Sequence, residues 1–384
     1  MLDFVSWLTE HGGVGTSIKF KEYTETMRGV YSREYIPSGT SVITIPDNMI
    51  IHSNMVQKKS NTIKNLKKLN INFISPSHVY ITIYIIETFN DPTHFFYPYY
   101  KIFPKNLNNI PLFWTDLELS ELVGSHFQKL INNKITKLRN EYNKIVRAIP
   151  YFKNMANFNK YKYIRLLVAS RNFTLKINDE RVNAMVPWAD MLNHRYPPQT
   201  KWGYKDGHFF LDAIEDIDAN IEIMDSYGLK TNASYLLHYG FTVGLNGKCS
   251  KGSIPVIINA REITLSIPIN NYTLQDLLNT FHKHNVTPNY KNTDKKNLYT
   301  INKHLISLLD KYKTTYKEDI TLINRKTLDS FSNKYNALVV ITNEKKIIQH
   351  YIEAIFKILE YIDLEPAQRI LDEAYLIDYF NLRK

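Results

Sequence analysis

The reading of this chain turns on Val186-Pro187-Trp188-Ala189-Asp190-Met191-Leu192-Asn193-His194, together with Asp225-Ser226-Tyr227-Gly228. Around them lie Ser170-Arg171-Asn172-Phe173, Thr231-Asn232-Ala233 and Tyr239-Gly240-Phe241. The chemically suggestive residues therefore fall between Ser170 and Phe241. A nucleophile elbow needs G-x-S-x-G and a Walker loop needs G-x-x-x-x-G-K-[ST]; neither occurs. Gly12-Gly13-Val14-Gly15 has the texture of a phosphate loop, yet it follows the helix-like Phe4–Glu10 instead of a strand. Asp190 and His194 are four apart and, with His238, could be imagined around a metal ion. No further ligand has matching spacing, Pro197-Pro198 soon stops any helix, and no metal is expected. Taken alone, these residues read as part of an α+β enzyme-like protein whose chemistry stays open.

Composition narrows the alternatives. The chain has 384 residues, 44% apolar and 13% aromatic, enough for a sizeable core and two or three domains of roughly 150 residues each. General disorder is ruled out. A single cysteine, Cys249, excludes an intramolecular disulfide and any multi-cysteine zinc site. The first ten residues carry Asp3 and Glu10 without a basic region, so no signal peptide is expected. Val79–Phe89, the most apolar stretch, falls short of the roughly 18 residues a membrane span needs. The expectation is a soluble, intracellular protein, cytoplasmic or nuclear, with no membrane partner. Net charge is +11, but 36 of the 48 basic residues are lysine and 12 are arginine. Alongside many Asn, Ile and Tyr, that pattern suggests a codon bias toward A and T; a nucleic-acid surface would lean on arginine. Gln128–Arg165 has ten basic residues and one acidic, and Met55–Asn70 five lysines and no acid. Both are read as solvated helix faces, and nucleic acid is not the expected partner.

From Gly29 to Ile51 the texture is β, with Pro37-Ser38-Gly39-Thr40 as a turn before Val42-Ile43-Thr44-Ile45. Helical periodicity takes over near Ser77, a candidate cap for a helix through Ile83 and Ile86. Thr115 and Glu118 have capping-box spacing, and a long helix is predicted from Phe127 to Val146. Strands return between Val182 and Phe241, where Lys201–Tyr204, Asp206-Gly207 and Phe209–Leu211 predict a hairpin. From Tyr272 onward the pattern is helical, the last two helices centred on Ile347–Ile362 and Pro366–Phe380.

These motifs resemble those of a known family. Met27-Arg28-Gly29-Val30, Pro37-Ser38-Gly39 and Val42–Pro46 resemble the N-terminal half of a SET domain. Asp190–His194 looks like its D-x-x-N-H pseudoknot motif. Ser226-Tyr227-Gly228 with Asn232 and Tyr239-Gly240-Phe241 look like its C-terminal motif. Tyr97-Pro98-Tyr99, Phe103-Pro104 and Trp114 are similar to the helical insertion of the Rubisco large-subunit methyltransferase branch. The resemblance implies an α+β fold: a SET domain of small sheets with a pseudoknot, interrupted by helices and followed by an all-α domain. The implied segments are 1–75 and 166–262 for the SET domain, 76–165 for the insertion and 263–384 for a helical substrate-binding domain.

What the family implies is methyl transfer from S-adenosylmethionine to a protein side-chain nitrogen, the substrate protein docking on the C-terminal helical domain. By motif, Arg171 would pair with the cofactor's carboxylate, which a guanidinium binds bidentately. Asn193 would hold the amino-acid end, and His194 would act mainly through its backbone against the adenine. Backbone groups around Thr26 and Arg28 would complete the pocket, together with Asp190 of the pseudoknot motif. Tyr227 would be the catalytic tyrosine, next to cofactor and methyl group, with Phe173, Ala189 and Tyr239 along the substrate channel. A histidine-methylating relative has Asn two positions after the Arg of the S-R motif and Trp directly before the D-x-x-N-H aspartate. Here those positions are Phe173 and Ala189, with Trp188 displaced by one, so lysine is the expected acceptor. The alternatives are a histidine acceptor, or a SET-like protein that binds a partner and catalyses weakly. Two departures stand out. Met27 replaces a usual glycine, which bears on cofactor affinity, and Asn220 replaces the Gly of a G-E element, a change Asn tolerates because it accepts positive φ.

Overall fold

The turn at Pro37–Thr40 separates two strands as its residues predict, and Gly39 takes φ +84° within it. The computed structural model describes residues 2–15, 17–23, 28–247, 249, 252–258, 260–267, 295–324 and 329–363. They fall into two units, Met1–Asn108 with Lys134–Leu229, and Asn109–Asn133 with Lys230–Lys384. These units divide the chain after residues 108, 133 and 229.

The first unit carries the strands β1 (Ile18–Glu22), β2 (Arg28–Ser32), β3 (Ser41–Pro46), β4 (Ile51–His52), β5 (Asn172–Ile177), β6 (Glu180–Met185), β7 (Asn193–His194), β8 (Thr200–Lys205), β9 (His208–Ala213) and β10 (Glu222–Asp225). They form three small sheets, ordered β1-β2-β10-β7, β3-β9-β8 and β4-β6-β5. In the first, β10 is antiparallel to β2 and parallel to β7, pairing Met224 with Asn193 and Asp225 with His194. The hairpin β8–β9 closes through Asp206 and Gly207, both with positive φ, as Asp-Gly predicts. A second hairpin, β5–β6, begins before the region where strands were expected. Its two-residue turn is Asn178-Asp179, and both residues accept the left-handed conformation. Asn220 likewise sits at φ +63°, so it does the work of the glycine it replaces.

The helix Pro76–Thr88 packs on the helix Phe158–Ser170, and every residue from Val79 to Ile86 is buried. A helix apolar all round belongs inside. It starts with Pro76 in the first turn, just after Ser75, so Ser77 lies within it and does not cap it; proline's missing N–H costs nothing there. The glycine run 12–15 is structural: Val14 bridges to Thr44 through both backbone groups, and a side chain on Gly13 would collide with Leu8.

In the second unit Thr115 and Glu118 form the expected capping box. The long helix is present as His126–Ala148, beginning in this unit. Its first amides, His126 and Phe127, donate to the Glu344 carboxylate at 2.9 Å each, and the Tyr312 hydroxyl donates to it at 2.8 Å. The hairpin β11 (Ser253–Ile258) and β12 (Arg261–Ser266) was not foreseen, since strands were expected to stop by Phe241. Its inward residues Ile254, Val256, Ile263 and Leu265 share a core with Leu298, Ile301, Ile347, Tyr351 and Ile355 of the helices Lys295–Leu309 and Asn333–Asp363. Inside lies a fully buried ion pair, Lys345 to Asp319 at 2.6 Å. The expected helix at Ile347–Ile362 is the latter part of Asn333–Asp363. Those at Tyr272 onward up to residue 294 and at Pro366–Phe380 lie outside the described residues.

Candidate active site

Arg28, Arg171, Asp190 and Tyr99 meet inside the first unit. Arg171 ends the helix Phe158–Ser170 and stands immediately before β5. Its Nη1 donates to the Asp190 carbonyl at 2.6 Å and lies 3.5 Å from Asp190 Oδ2. Tyr99 donates its hydroxyl to that same Oδ2 at 2.8 Å. Arg28, the first residue of β2, donates Nη1 to the Ile102 carbonyl and lies over the Phe20 ring, 5.5 Å from its centroid. Two guanidiniums against one carboxylate leave the cluster with an excess positive charge. Arg28 Nε and Nη2, Arg171 Nε and Asp190 Oδ1 are buried without a hydrogen-bond partner among the described residues. Buried donors left unpaired cost free energy, and an anion is the kind of group that would satisfy these guanidinium nitrogens.

Electrostatics agree with that reading. Burial and the like charge of Arg171 bring the Arg28 guanidinium down to about 10, with Asp190 pulling the other way. Burial pushes the Asp190 carboxyl up, against the pull of Arg171 and Arg28. Burial, and then the Asp190 charge, hold the Tyr99 hydroxyl well above its ordinary range, so it stays a donor. Asp190 is aimed inward by an unusual turn. Trp188 takes φ +67° and ψ −55°, and Ala189 N donates to the Pro187 carbonyl at 2.9 Å. That is a γ-turn of the strained hand, of the kind found where a site needs one side chain re-aimed.

Asn193 lies on β7, the strand beside β10. Its Nδ2 donates to the Arg28 carbonyl at 2.8 Å and to Glu222 Oε1 at 2.7 Å. His194 accepts at Nδ1 from the Tyr227 N–H at 3.1 Å, and its ring stacks on that of Tyr227 with centroids 5.3 Å apart. The Tyr227 hydroxyl donates to the Leu192 carbonyl at 2.6 Å. The parallel β7–β10 pairing is what brings 193–194 and 225–227 together, across more than thirty positions of sequence.

The structure thus gathers Arg28, Arg171, Asp190, Asn193, His194 and Tyr227 in one unit. Ala189, beside them in sequence, is buried, and Phe173 on β5 packs edge-on against Trp202 and Phe209, each 5.3 Å away. Thr26 and Met27 lie outside the described residues. Tyr239 belongs to the second unit, as the last residue of the helix Asn232–Tyr239. Two features were missed. Arg28 brings its guanidinium, where its backbone was expected, and His194 orients Tyr227 through its ring. Tyr99 and Glu222 were not expected at the site; a lone tyrosine and a strand glutamate give no signal of a partner 91 or 29 positions away. Among the described residues, no group of three or more His, Cys, Asp or Glu could hold a metal ion. No described helix is long and apolar enough to cross a membrane.

Comparison with known proteins gives a consistent result. A SET domain family profile matches residues 27–228. The chain is 25% identical over 243 residues to N-lysine methyltransferase setd6 of Danio rerio, covering 58% of this chain and 52% of that protein. It is 24% identical over 290 residues to Ribosomal lysine N-methyltransferase 4 of Saccharomyces cerevisiae, covering 66% and 57%. With Actin-histidine N-methyltransferase of Xenopus tropicalis it shares 21% over 257 residues, covering 62% and 42%. The matches thus span about half the length of these relatives. Among solved structures, Rubisco LSMT bound to sinefungin and monomethyllysine superposes with a TM-score of 0.76 at 19% identity, covering 97% of this chain and 96% of that one. Rubisco LSMT bound to AdoMet gives 0.75 at 19%, with the same coverage. At such identity the likeness establishes the fold.

Proposed function

Because this chain belongs to the SET-domain family, we propose that it is an S-adenosylmethionine-dependent protein-lysine N-methyltransferase. The observation that carries the reading is the buried Arg28–Arg171–Asp190 cluster, with its excess positive charge and three guanidinium nitrogens that have no partner among the described residues. An α-amino acid moiety answers it: a carboxylate for the guanidiniums and an ammonium for acceptors nearby. Bound S-adenosylmethionine supplies a methyl group carried on a sulfonium sulfur. Arg171 and Arg28 would hold the carboxylate, and Asn193 the amino end. Asp190, paired to Arg171, would fix that guanidinium's plane. Thr26 and the backbone of His194 would complete the pocket.

Tyr227 would be the catalytic residue. Its hydroxyl gives its proton to the Leu192 carbonyl, so toward other groups its oxygen acts as an acceptor. Such an oxygen can receive weak C–H contacts from a polarised methyl group and align it. Transfer needs nitrogen, carbon and sulfur in line, so positioning supplies most of the catalysis. The acceptor lysine must lose a proton first, which at pH 7 costs on the order of 4–5 kcal/mol from a reference near 10.4. Phe173 and Ala189 are assigned to the acceptor channel, where burial disfavours the ammonium. Phe173 offers no hydrogen-bonding group to an imidazole, which supports lysine over histidine. The substrate is a protein, with the helical C-terminal region as its docking surface. The single cysteine suits a reducing, intracellular setting.

Calorimetric titration with S-adenosylmethionine, of the wild type and Arg171→Ala, tests the pocket. Micromolar binding that disappears in the variant is expected. Labelled methyl transfer into a cell extract, followed by hydrolysis, should then yield methyl-lysine. Recovery of methyl-histidine, or binding unchanged by Arg171→Ala, would overturn the reading.

A further inference from the structure

We infer that Glu222 is a positioning residue: it fixes the Asn193 amide so that only its oxygen is left to face the cofactor's ammonium. The inference rests on the proposed cofactor pocket and deepens it. An amide can be turned either way, and its orientation follows from its partners. Asn193 Nδ2 points at two groups that can only accept, the Arg28 carbonyl at 2.8 Å and Glu222 Oε1 at 2.7 Å. A carbonyl alone would fix one N–H; the carboxylate takes the second and closes off the flipped arrangement. The amide oxygen is then an acceptor aimed elsewhere, and an acceptor is what an ammonium needs.

Two further observations show that this contact is built in. Glu222 opens β10, where it pairs with Tyr31 on β2, and its carboxylate reaches Asn193 on β7. It can do so because residue 29 is glycine: a side chain there would collide with the Glu222 carboxylate and approach the Tyr23 hydroxyl within 3.0 Å. The same Tyr23 hydroxyl, which also meets that of Tyr31, flanks the Glu222 carboxylate at Gly29. Lys21 lies over the Tyr31 ring, 5.0 Å from its centroid. The carboxylate is therefore seated against Gly29, with the Tyr23 phenol beside it.

The test uses two ligands, S-adenosylhomocysteine, which carries the amino-acid end, and 5′-methylthioadenosine, which lacks it. Their binding to wild type, Glu222→Ala, Glu222→Gln, Asn193→Ala and the Glu222→Ala/Asn193→Ala double variant is measured by calorimetry, with thermal midpoints as a control for folding. Glu222→Ala should weaken S-adenosylhomocysteine about tenfold, the scale of one charge-assisted hydrogen bond, and leave methylthioadenosine unchanged. Glu222→Gln, whose amide oxygen still accepts from Asn193, should recover most of the loss. The double variant should bind no more weakly than Asn193→Ala. An equal loss for both ligands would reduce Glu222 to a structural part and overturn the inference. So would additive losses in the double variant, or wild-type affinity in Glu222→Ala. A wild type that binds neither ligand fails at the earlier step and sinks the proposed function itself.

Discussion

Arg171 grips Asp190 at two points, its backbone carbonyl at 2.6 Å and its carboxylate at 3.5 Å, through a single nitrogen, Nη1. One end of the guanidinium is thereby spent on the protein, while Nε is buried without a partner among the described residues. A planar fork with one prong fixed is pre-aimed at a ligand, which a lysine's point charge cannot copy. Arg171→Lys is therefore expected to lose at least about tenfold in cofactor affinity despite conserving charge. Calorimetric affinity near wild type in that variant would show that charge alone suffices.

Tyr227→Phe removes the hydroxyl and its bond to Leu192 while keeping the ring stacked on His194. Cofactor binding should persist, and single-turnover methyl transfer should fall by about two orders of magnitude or more, the range of a positioning group lost at the reacting atoms. A variant as fast as wild type would remove Tyr227 from its assigned role.

His78, on the buried helix Pro76–Thr88, links folding to acidity. Burial, with the Arg165 charge nearby, pulls its imidazole down to about 4 from an ordinary 6.5, and its Nε2 is buried without a partner among the described residues. The folded state thus binds the proton less readily than the unfolded chain. Its stability is present in full above pH 6.5 and is lost as the pH falls toward 4, at no more than about 1.4 kcal/mol per pH unit. Thermal midpoints of wild type and His78→Phe, compared from pH 7 down, should diverge in slope. Parallel curves would contradict this origin.

Lys345 and Asp319 make the corresponding case without titration. The ammonium meets Asp319 Oδ2 and the Thr314 carbonyl, each at 2.6 Å, and neither side chain reaches solvent. Lys345→Met or Asp319→Leu alone strands a buried charge and should cost about 3–5 kcal/mol in denaturant unfolding. The double variant should cost clearly less than the sum. Additive losses would mean that the two charges do not stabilise each other.

Local chemistry was legible in the sequence wherever partners sit close along the chain. Thr115 and Glu118 announced their capping box, Asp206-Gly207 its hairpin, and Asn220 its positive φ. The D-x-x-N-H and S-Y-G motifs carried the fold through resemblance. What escaped depends on distant pairing: the two-residue parallel ladder of β7 with β10, Tyr99 on Asp190, and Glu222 on Asn193. The hairpin β11–β12 escaped for another reason. In β11 the exposed Ile257 beside buried Val256 and Ile258 blurs the polar alternation that β12 keeps, so periodicity alone could not separate strand from helix there.

Residues 109–133, folded with the C-terminal unit although the chain interposes them in the first, make neither unit a continuous stretch of gene. A fragment beginning at Lys230 would leave out the two amides that Glu344 accepts, and would expose a carboxylate whose burial, even with those amides, already holds it near 7. Truncation is therefore the wrong scalpel. Anyone transplanting the C-terminal unit onto another catalytic scaffold must carry this excursion along, and a chimera joined only at Leu229/Lys230 is expected to emerge insoluble.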